Sequence, residues 1–297
     1  MHFPAIEDFY KRLLFLLPFA TEFPSDDRRF SYDAPMQWQY IYPHCGGSDQ
    51  SPISLNAHKV IPIGLPPLHF GLYDEPFDDL LILRNNGHTV EFSVPTTVYG
   101  ERPYITGGLL GDFYEAMAVH FHWGSSQQKG SEHLLNGRRY DLEMHIVHRN
   151  TKYQSDEEAR NQTDGLAVLA VLFKVVRSNY LHYQPGLNEI LGSLLHLSDF
   201  NSSYTPAAFL TLGSLLGNLD RGNFYAYQGS LTTPPCSPVV LWHVFAEVLP
   251  ISHLELPKFW QLRDRRGRPL INNFRPLQSI KRRQVFQRRS PEEYFWT

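Results

Sequence analysis

The stretch Ala116-Met117-Ala118-Val119-His120-Phe121-His122-Trp123-Gly124 mixes β-branched, aromatic and alternating residues, so Ala116 to Trp123 reads as a β-strand. On a strand, residues two apart share a face, and His120 and His122 then present two imidazoles side by side. The run Leu142-Glu143-Met144-His145-Ile146-Val147-His148 has the same character and offers a third imidazole, His145, from a neighbouring strand. Zinc catalysis needs three protein nitrogens and one position open to water. Three neutral histidines leave the ion its full double charge, which lowers the pKa of a bound water to about 7. The chain holds 14 histidines, so close pairs arise by chance, and His-x-His alone is a weak signal that its surroundings must strengthen.

Outward from these strands, Val168 to Val176 is a continuous apolar run, typical of a buried central strand, with a helix as the alternative. Leu187, Ile190, Leu191, Leu194 and Leu195 have helical spacing. Pro, Gly and Asn clusters punctuate the rest, which gives a strand-dominated, mixed α/β chain with a few short helices. No linker, repeat or low-complexity tract interrupts residues 30–283, read as one domain. Residues 1–29 read as a signal, a pre-sequence or a loose tail, because Lys11 and Arg12 precede a short apolar run from Leu13 to Ala20. Residues 284–297 read as a C-terminal tail. Hydrophobic residues make up 42% and charged residues 19% of the 297, enough for a sizeable core. The formal net charge of -3 carries no basic excess, which argues against nucleic acid as a partner. No stretch of about 20 apolar residues exists, so no transmembrane helix is expected. Cys45 and Cys236 have no metal-binding spacing. They are either two buried thiols of a cytoplasmic protein or one long-range disulfide of an oxidising compartment. Asn161-Gln162-Thr163 and Asn201-Ser202-Ser203 are candidate glycosylation sites.

Eight segments, in order, carry a resemblance: Gln50-Ser51-Pro52-Ile53, Asn85-Asn86-Gly87-His88, the His120 segment, Gly130-Ser131-Glu132-His133, Glu143 to His148, Asp164-Gly165-Leu166-Ala167-Val168, Gly229-Ser230-Leu231-Thr232-Thr233-Pro234-Pro235, and Asn272-Asn273-Phe274-Arg275-Pro276. On these segments the chain resembles the alpha carbonic anhydrases from about Phe30 to Arg283. The resemblance implies a single domain built on a large twisted, mainly antiparallel β-sheet with short peripheral helices. It implies reversible hydration of carbon dioxide to bicarbonate and a proton, in which a zinc-bound hydroxide attacks carbon dioxide. His120, His122 and His145 match the zinc ligands. Glu143 and the backbone carbonyl of Asn273 match the groups that orient His145 and His122. Thr232 and Glu132 match the pair that aligns the hydroxide. His88 matches the proton shuttle, for which an imidazole titrating near 6.5 is suited, and Tyr32 and Asn86 match residues that order the intervening waters. Val147, Val168, Leu231, Val240, Trp242 and Thr233 match the substrate pocket, whose apolar wall suits an apolar substrate. Extracellular members carry cysteines at the positions of Cys45 and Cys236, so the resemblance favours a disulfide and a secreted protein, with a cytoplasmic one as the alternative. It also implies cis peptides before Pro52 and Pro235.

Four positions depart from the pattern. Ala118 stands where a glutamine commonly supports the first ligand, Phe274 and Arg149 stand where tryptophan is common, and Glu91 puts an acid three residues after His88. None removes a ligand. Two other functions compete. A catalytically silent binding module would have lost a ligand histidine, and a dedicated zinc hydrolase would carry a His-Glu-x-x-His helix or a serine elbow, neither of which is present.

Overall fold

The computed structural model describes residues 30–177, 184–207 and 210–289; the expected pre-sequence, residues 1–29, lies outside them. The early strands are β1 (Ser54–Leu55), β2 (Ile61–Pro62), β3 (His69–Gly71), β4 (Leu83–Asn85), β5 (Val90–Ser93) and β6 (Tyr104–Thr106). The middle of the chain forms β7 (Tyr114–Trp123), β8 (Leu134–Leu135), β9 (Leu142–Asn150) and β10 (Leu166–Val176). The later strands are β11 (Ser203–Tyr204), β12 (Phe224–Gly229), β13 (Val240–Ser252) and β14 (Phe286–Arg288). One sheet runs in the order β11-β4-β5-β7-β9-β10-β13-β12-β14-β2, with β6 also paired to β7 and β3 to β6. Along it only β10–β13 and β14–β2 are parallel, so the sheet is mainly antiparallel, as expected.

The apolar run that left strand or helix open is β10, at the centre of the sheet between β9 and β13. Its first eight residues are buried. Ala167, Leu169, Val171 and Phe173 join one core, here the back core, while Val168, Ala170 and Leu172 join a second, the front core. A strand covered on both faces has no reason to alternate with polar residues. Each fully buried valine or leucine in it contributes about 1.5–3 kcal/mol. The expected helix spans Pro185–Ser193 and continues as a 3₁₀ turn over Leu194–His196. Leu187, Ile190, Leu191 and Leu194 pack into the back core, but Leu195 is exposed because the tighter turn rotates it outward.

A bulge in β7 decides which way the histidines face. Ala116 pairs with His148, but Ala118 pairs with Val147, so Met117 is an extra residue in the ladder. Tyr114 and Ala116 belong to the back core before the bulge, and Val119, Phe121 and Trp123 belong to it afterwards. The parity has changed. Without the extra residue, the alternation set by Ala116 would turn His120 and His122 into the back core.

Of the tail expected over residues 284–297, residues 290–297 lie outside the described residues, and the rest includes a strand. Phe286–Arg288 is strand β14, paired to both β12 and β2, so the folded domain runs past Arg283. Its apolar side belongs to the sheet: Val285 is buried in the front core. Cys45 and Cys236 form a disulfide, and the Ser51–Pro52 and Pro234–Pro235 peptides are cis.

Candidate metal centre

Strands β7 and β9 bring four side chains into a two-by-two block. His120 lies opposite His145, and His122 lies opposite Glu143. Directly opposed antiparallel residues project to the same side at short range. Nε2 of His122 is 3.1 Å from Nδ1 of His145, which is 3.2 Å from Nε2 of His120. The outer nitrogens explain why these three face one another. Nδ1–H of His122 donates to the carbonyl of Asn273 at 2.8 Å, and Nε2–H of His145 donates to Glu143 Oε1 at 2.7 Å. A neutral imidazole with one nitrogen donating has a lone pair on the other. The inner nitrogens of His122 and His145 are therefore acceptors aimed at each other, and a cation held between them turns that repulsion into coordination. Burial, and then His145 and His122, push the His120 ring well down from the ordinary histidine value, and burial lowers the His145 ring against the hydrogen bond to Glu143, so both rings are neutral at pH 7. Three neutral nitrogens are a donor set that suits zinc.

Glu143 does more than orient one ligand. Its Oε1 accepts from both His145 and Nδ1–H of His133, each at 2.7 Å, and its Oε2 accepts the backbone N–H of His133 at 2.8 Å. Burial pushes the carboxyl up, but the two histidines outweigh it and hold it well below the usual carboxylate range. Behind it, Nε2 of His133 meets the Tyr227 hydroxyl at 2.7 Å, and that hydroxyl is 2.9 Å from Ser51 Oγ. Burial pushes the Tyr227 phenol far above its ordinary value, so it keeps its proton. His133, Tyr227 and Ser51 escaped the residue-level reading. His133 stood in a quoted segment beside Glu132, but its partners are 10 and 94 residues away in sequence.

Glu132 is fully buried. Oε1 accepts the backbone N–H of Arg275 at 2.8 Å, while Oε2 lies 3.5 Å from Nε2 of His122 and has no hydrogen-bond partner. The expected Thr232–Glu132 hydrogen bond is thus not formed in this structure, although Thr232 is buried too. A carboxylate oxygen beside a ring lone pair is an unmet acceptor, and it fits a hydroxyl donor delivered to the metal side. Arg275, another residue missed at the level of single positions, is buried and locks three segments together. Its guanidinium donates to Gln50 Oε1, the carbonyl of Ser51 and the carbonyl of Cys45 at 2.8, 2.8 and 2.9 Å. Burial lowers it to about 10, against the pull of Glu132.

The pocket residues gather as the ladder dictates. Val147 pairs with Val168, which pairs with Trp242. These three and Val240 lie in the front core, with Leu231 packed against them. The Trp242 ring sits 4.9 Å from His145, edge to face. Thr233 is half-buried in the turn before the disulfide, its carbonyl accepting from Cys236 N–H at 2.9 Å.

His88 stacks on Phe30 with ring centroids 4.2 Å apart, and Tyr32 meets it edge-on at 6.4 Å. Burial, then the charge of Glu132, raise the Tyr32 phenol well above its ordinary value. Asn86 spends its side-chain oxygen on the backbone N–H groups of His88 and Thr89, at 2.8 and 2.9 Å, and so shapes the His88 turn. Gly87 in that turn has φ +83°, which favours glycine. Asn273 joins the two regions: its Nδ2 donates to the carbonyl of His88 at 2.9 Å, while its own carbonyl holds His122.

Among the departures, Ala118 is buried and offers no polar atom to His120, and Glu91 lies directly across the β5–β7 ladder from His120. Arg149 pairs with Glu115 and, at 3.5 Å, with Asp156. The Arg139 guanidinium covers the Phe274 ring at 4.6 Å.

Comparison with known proteins agrees with this geometry. A model of the eukaryotic-type carbonic anhydrase family matches residues 33–289. Carbonic anhydrase 15 of Mus musculus is 39% identical over 260 residues, covering 84% of this chain and 78% of that protein. Carbonic anhydrase 12 of Homo sapiens is 35% identical over 267 residues, covering 86% and 71%. Carbonic anhydrase 6 of Homo sapiens is 36% identical over 263 residues, covering 86% and 81%. With the family's domain spanning nearly all of the described residues, the chain belongs to the eukaryotic-type carbonic anhydrases.

Proposed function

We propose that this chain catalyses the reversible hydration of carbon dioxide to bicarbonate and a proton, a lyase reaction, with one zinc held by His120, His122 and His145. The observation that carries the reading is the convergence of three imidazole nitrogens within 4.8 Å of one another, those of His120 and His122 lying 3.2 and 3.1 Å from that of His145, with His122 and His145 held from behind by Asn273 and Glu143. Zinc bound there supplies Lewis acidity that brings water into its nucleophilic form near neutral pH. Glu143 and the Asn273 carbonyl fix the tautomers that leave the inner nitrogens as ligands. Glu132 Oε2, which has no hydrogen-bond partner in the structure, is the acceptor open to the Thr232 hydroxyl; with that bond made, the Thr232 oxygen becomes the acceptor which orients the nucleophile. Val147, Val168, Val240, Trp242 and Leu231 hold an apolar substrate next to the ligands and exclude water. His88 takes up the proton released in each turnover, with Tyr32 and Asn86 shaping its approach.

Stopped-flow hydration of carbon dioxide, run beside hydrolysis of an activated ester and metal analysis on the same sample, tests this. Fast hydration with one zinc per chain is expected; zinc-loaded protein that hydrolyses esters but leaves carbon dioxide untouched would remove the reading.

The compartment follows from the cross-link. A Cys45–Cys236 disulfide supports a secreted or extracellular protein over a cytoplasmic one. Asn161 and Asn201 are both exposed, so both can be reached by the glycosylation machinery. Asn161 Nδ2 donates to the Glu157 carbonyl at 2.8 Å, and Asn201 Oδ1 accepts from Arg84, 117 residues away in sequence. Secreted protein should contain no free thiol and should lose mass on treatment with an N-glycosidase. Two free thiols in unreduced material would count against the extracellular location.

A further inference from the structure

A cavity of about 210 Å³ lies against the disulfide, with Arg275, Gln50, Cys45, Ser48, Ser279 and Lys281 in its wall. Two cations and no acid line it, in a chain whose formal net charge is -3. Arg275 is buried, and the three acceptors of its guanidinium, Gln50 Oε1 and the carbonyls of Ser51 and Cys45, are neutral amide oxygens. They account for at most three of its five N–H donors. Glu132 attracts the guanidinium from a distance, but the contact it makes is with the Arg275 backbone N–H, at 2.8 Å. A buried charge is normally paired, and this one has no carboxylate on its donors. Lys281 stands on a well-held turn. Arg283 Nη2 donates to the Ser279 carbonyl at 2.9 Å and its Nε to the Ile280 carbonyl at 3.3 Å, while Ser279 Oγ accepts the Lys281 backbone N–H at 3.3 Å. Among the described residues the Lys281 ammonium makes no ion pair. Asp49, beside the wall, accepts from Ser48 Oγ at 2.8 Å and lies 3.9 Å from Arg283 Nε, so it is engaged elsewhere.

We propose that this cavity is a second anion site, separate from the metal centre, which takes a small planar oxyanion of the carboxylate class between Arg275 and Lys281. The guanidinium offers N–H groups in one plane, a geometry that matches the two oxygens of such an ion, and the ammonium adds a point charge from the other side. A cavity of this size holds an ion of three or four heavy atoms together with the waters that bridge it to the wall. Bicarbonate belongs to this class, and its standing as the ion that this chain itself makes rests on the function proposed above. The site is one residue removed from the metal side: the guanidinium of Arg275 faces the cavity, and its backbone N–H holds Glu132 Oε1.

The test titrates formate, followed by its ¹³C linewidth, into the zinc-loaded full-length protein at fixed ionic strength. Any formate at the metal contributes equally to every variant, so the cavity is read from the differences. Ser279→Asp puts a carboxylate where the ion would sit and keeps an acceptor for the Lys281 N–H; it should remove the cavity's share of the broadening. Lys281→Gln should weaken that share by about tenfold, and Lys281→Arg, which keeps the charge, should retain it. Bicarbonate should displace formate from wild type down to the Ser279→Asp level, whereas perchlorate at the same ionic strength should leave the difference in place. Equal broadening in wild type and Ser279→Asp, unchanged affinity in Lys281→Gln, or equal displacement by perchlorate overturns the proposal. Hydration of carbon dioxide is measured on the same samples and should match wild type in all three variants. Its absence from every sample, with the formate differences intact, would remove the carbonic anhydrase reading and leave the anion site standing.

Discussion

Both faces of the sheet bury histidines on or beside the same strands, and their partners differ. On the back face, Nε2 of His148 meets the Tyr73 hydroxyl at 2.6 Å, and Nε2 of His243 accepts the backbone N–H of Leu109 at 3.1 Å. Each ring has its own donor, and the two do not converge. Burial pushes them down to about 3 and about 4, so they are neutral, structural side chains. On the front face, His122 and His145 spend their outer protons on Asn273 and Glu143, and three inner nitrogens are left facing one another. Burial and neutrality are common to the two groups. What separates a candidate metal centre from these core rings is which nitrogen each partner occupies, and Glu143 and Asn273 set that on the front.

The contrast can be broken most sharply by exchanging roles. His122→Ala should abolish measurable hydration and metal binding, because two nitrogens do not make the set that zinc catalysis needs. His148→Gln, on the other face of the sheet, should keep one zinc per chain and a rate within about twofold of wild type. A His148→Gln protein that loses zinc would mean the faces are coupled more tightly than the partners suggest.

The back-face histidines should instead appear in acid stability. Both folded-state values lie below the ordinary 6.5. Above that pH the rings are neutral in both states and their contribution is intact. As pH falls below about 6.5, the unfolded chain takes up protons that the fold refuses, and stability drops until about pH 3, where the His148 ring itself protonates. Each ring should add about 1.4 kcal/mol per pH unit to that loss between roughly pH 6 and 4. Urea unfolding across that window should be shallower by about this slope in His148→Gln, and an unchanged slope would mean the ring is not neutral in the fold.

Two smaller effects sharpen the account of the front face. His133→Ala removes one of the three hydrogen bonds that hold Glu143, and a lost supporting contact of this kind costs about 10- to 100-fold in metal affinity or activity. Competition with a zinc-responsive dye would measure it; an unchanged affinity would show that Glu143 positions His145 unaided. Ala118→Gln adds a polar atom on the face of His120 and should slow zinc loss to dipicolinate by up to about tenfold, with little change in turnover. Release as fast as wild type would mean that His120 is already supported, and Glu91 across the ladder is the residue to examine next.

The sequence made some of this plain and hid the rest for physical reasons. Alternation located β7 and β9, and ordered segments singled out the three histidines that converge. The bulge at Met117 was invisible because Ala116 and Ala118 are both small and apolar and carry no record of which core they face. β10 could not be told from a helix by its residues, since burial on both faces erases the period. The links from Glu143 through His133 and Tyr227 to Ser51 join residues brought together only when β12 and β9 enter one sheet. Val285 to Arg288 looked like the start of a basic tail because a strand of three residues has no pattern long enough to read. The Thr232–Glu132 pair was legible only by resemblance, and its acceptor stands here without its donor.

The most direct measurement is a zinc titration of metal-free protein with hydration read at every point. The account predicts that carbon dioxide hydration rises linearly with zinc and stops at one ion per chain, and that His122→Ala neither binds nor turns over at the same concentrations. Hydration by the metal-free chain, or full activity in His122→Ala, would contradict it.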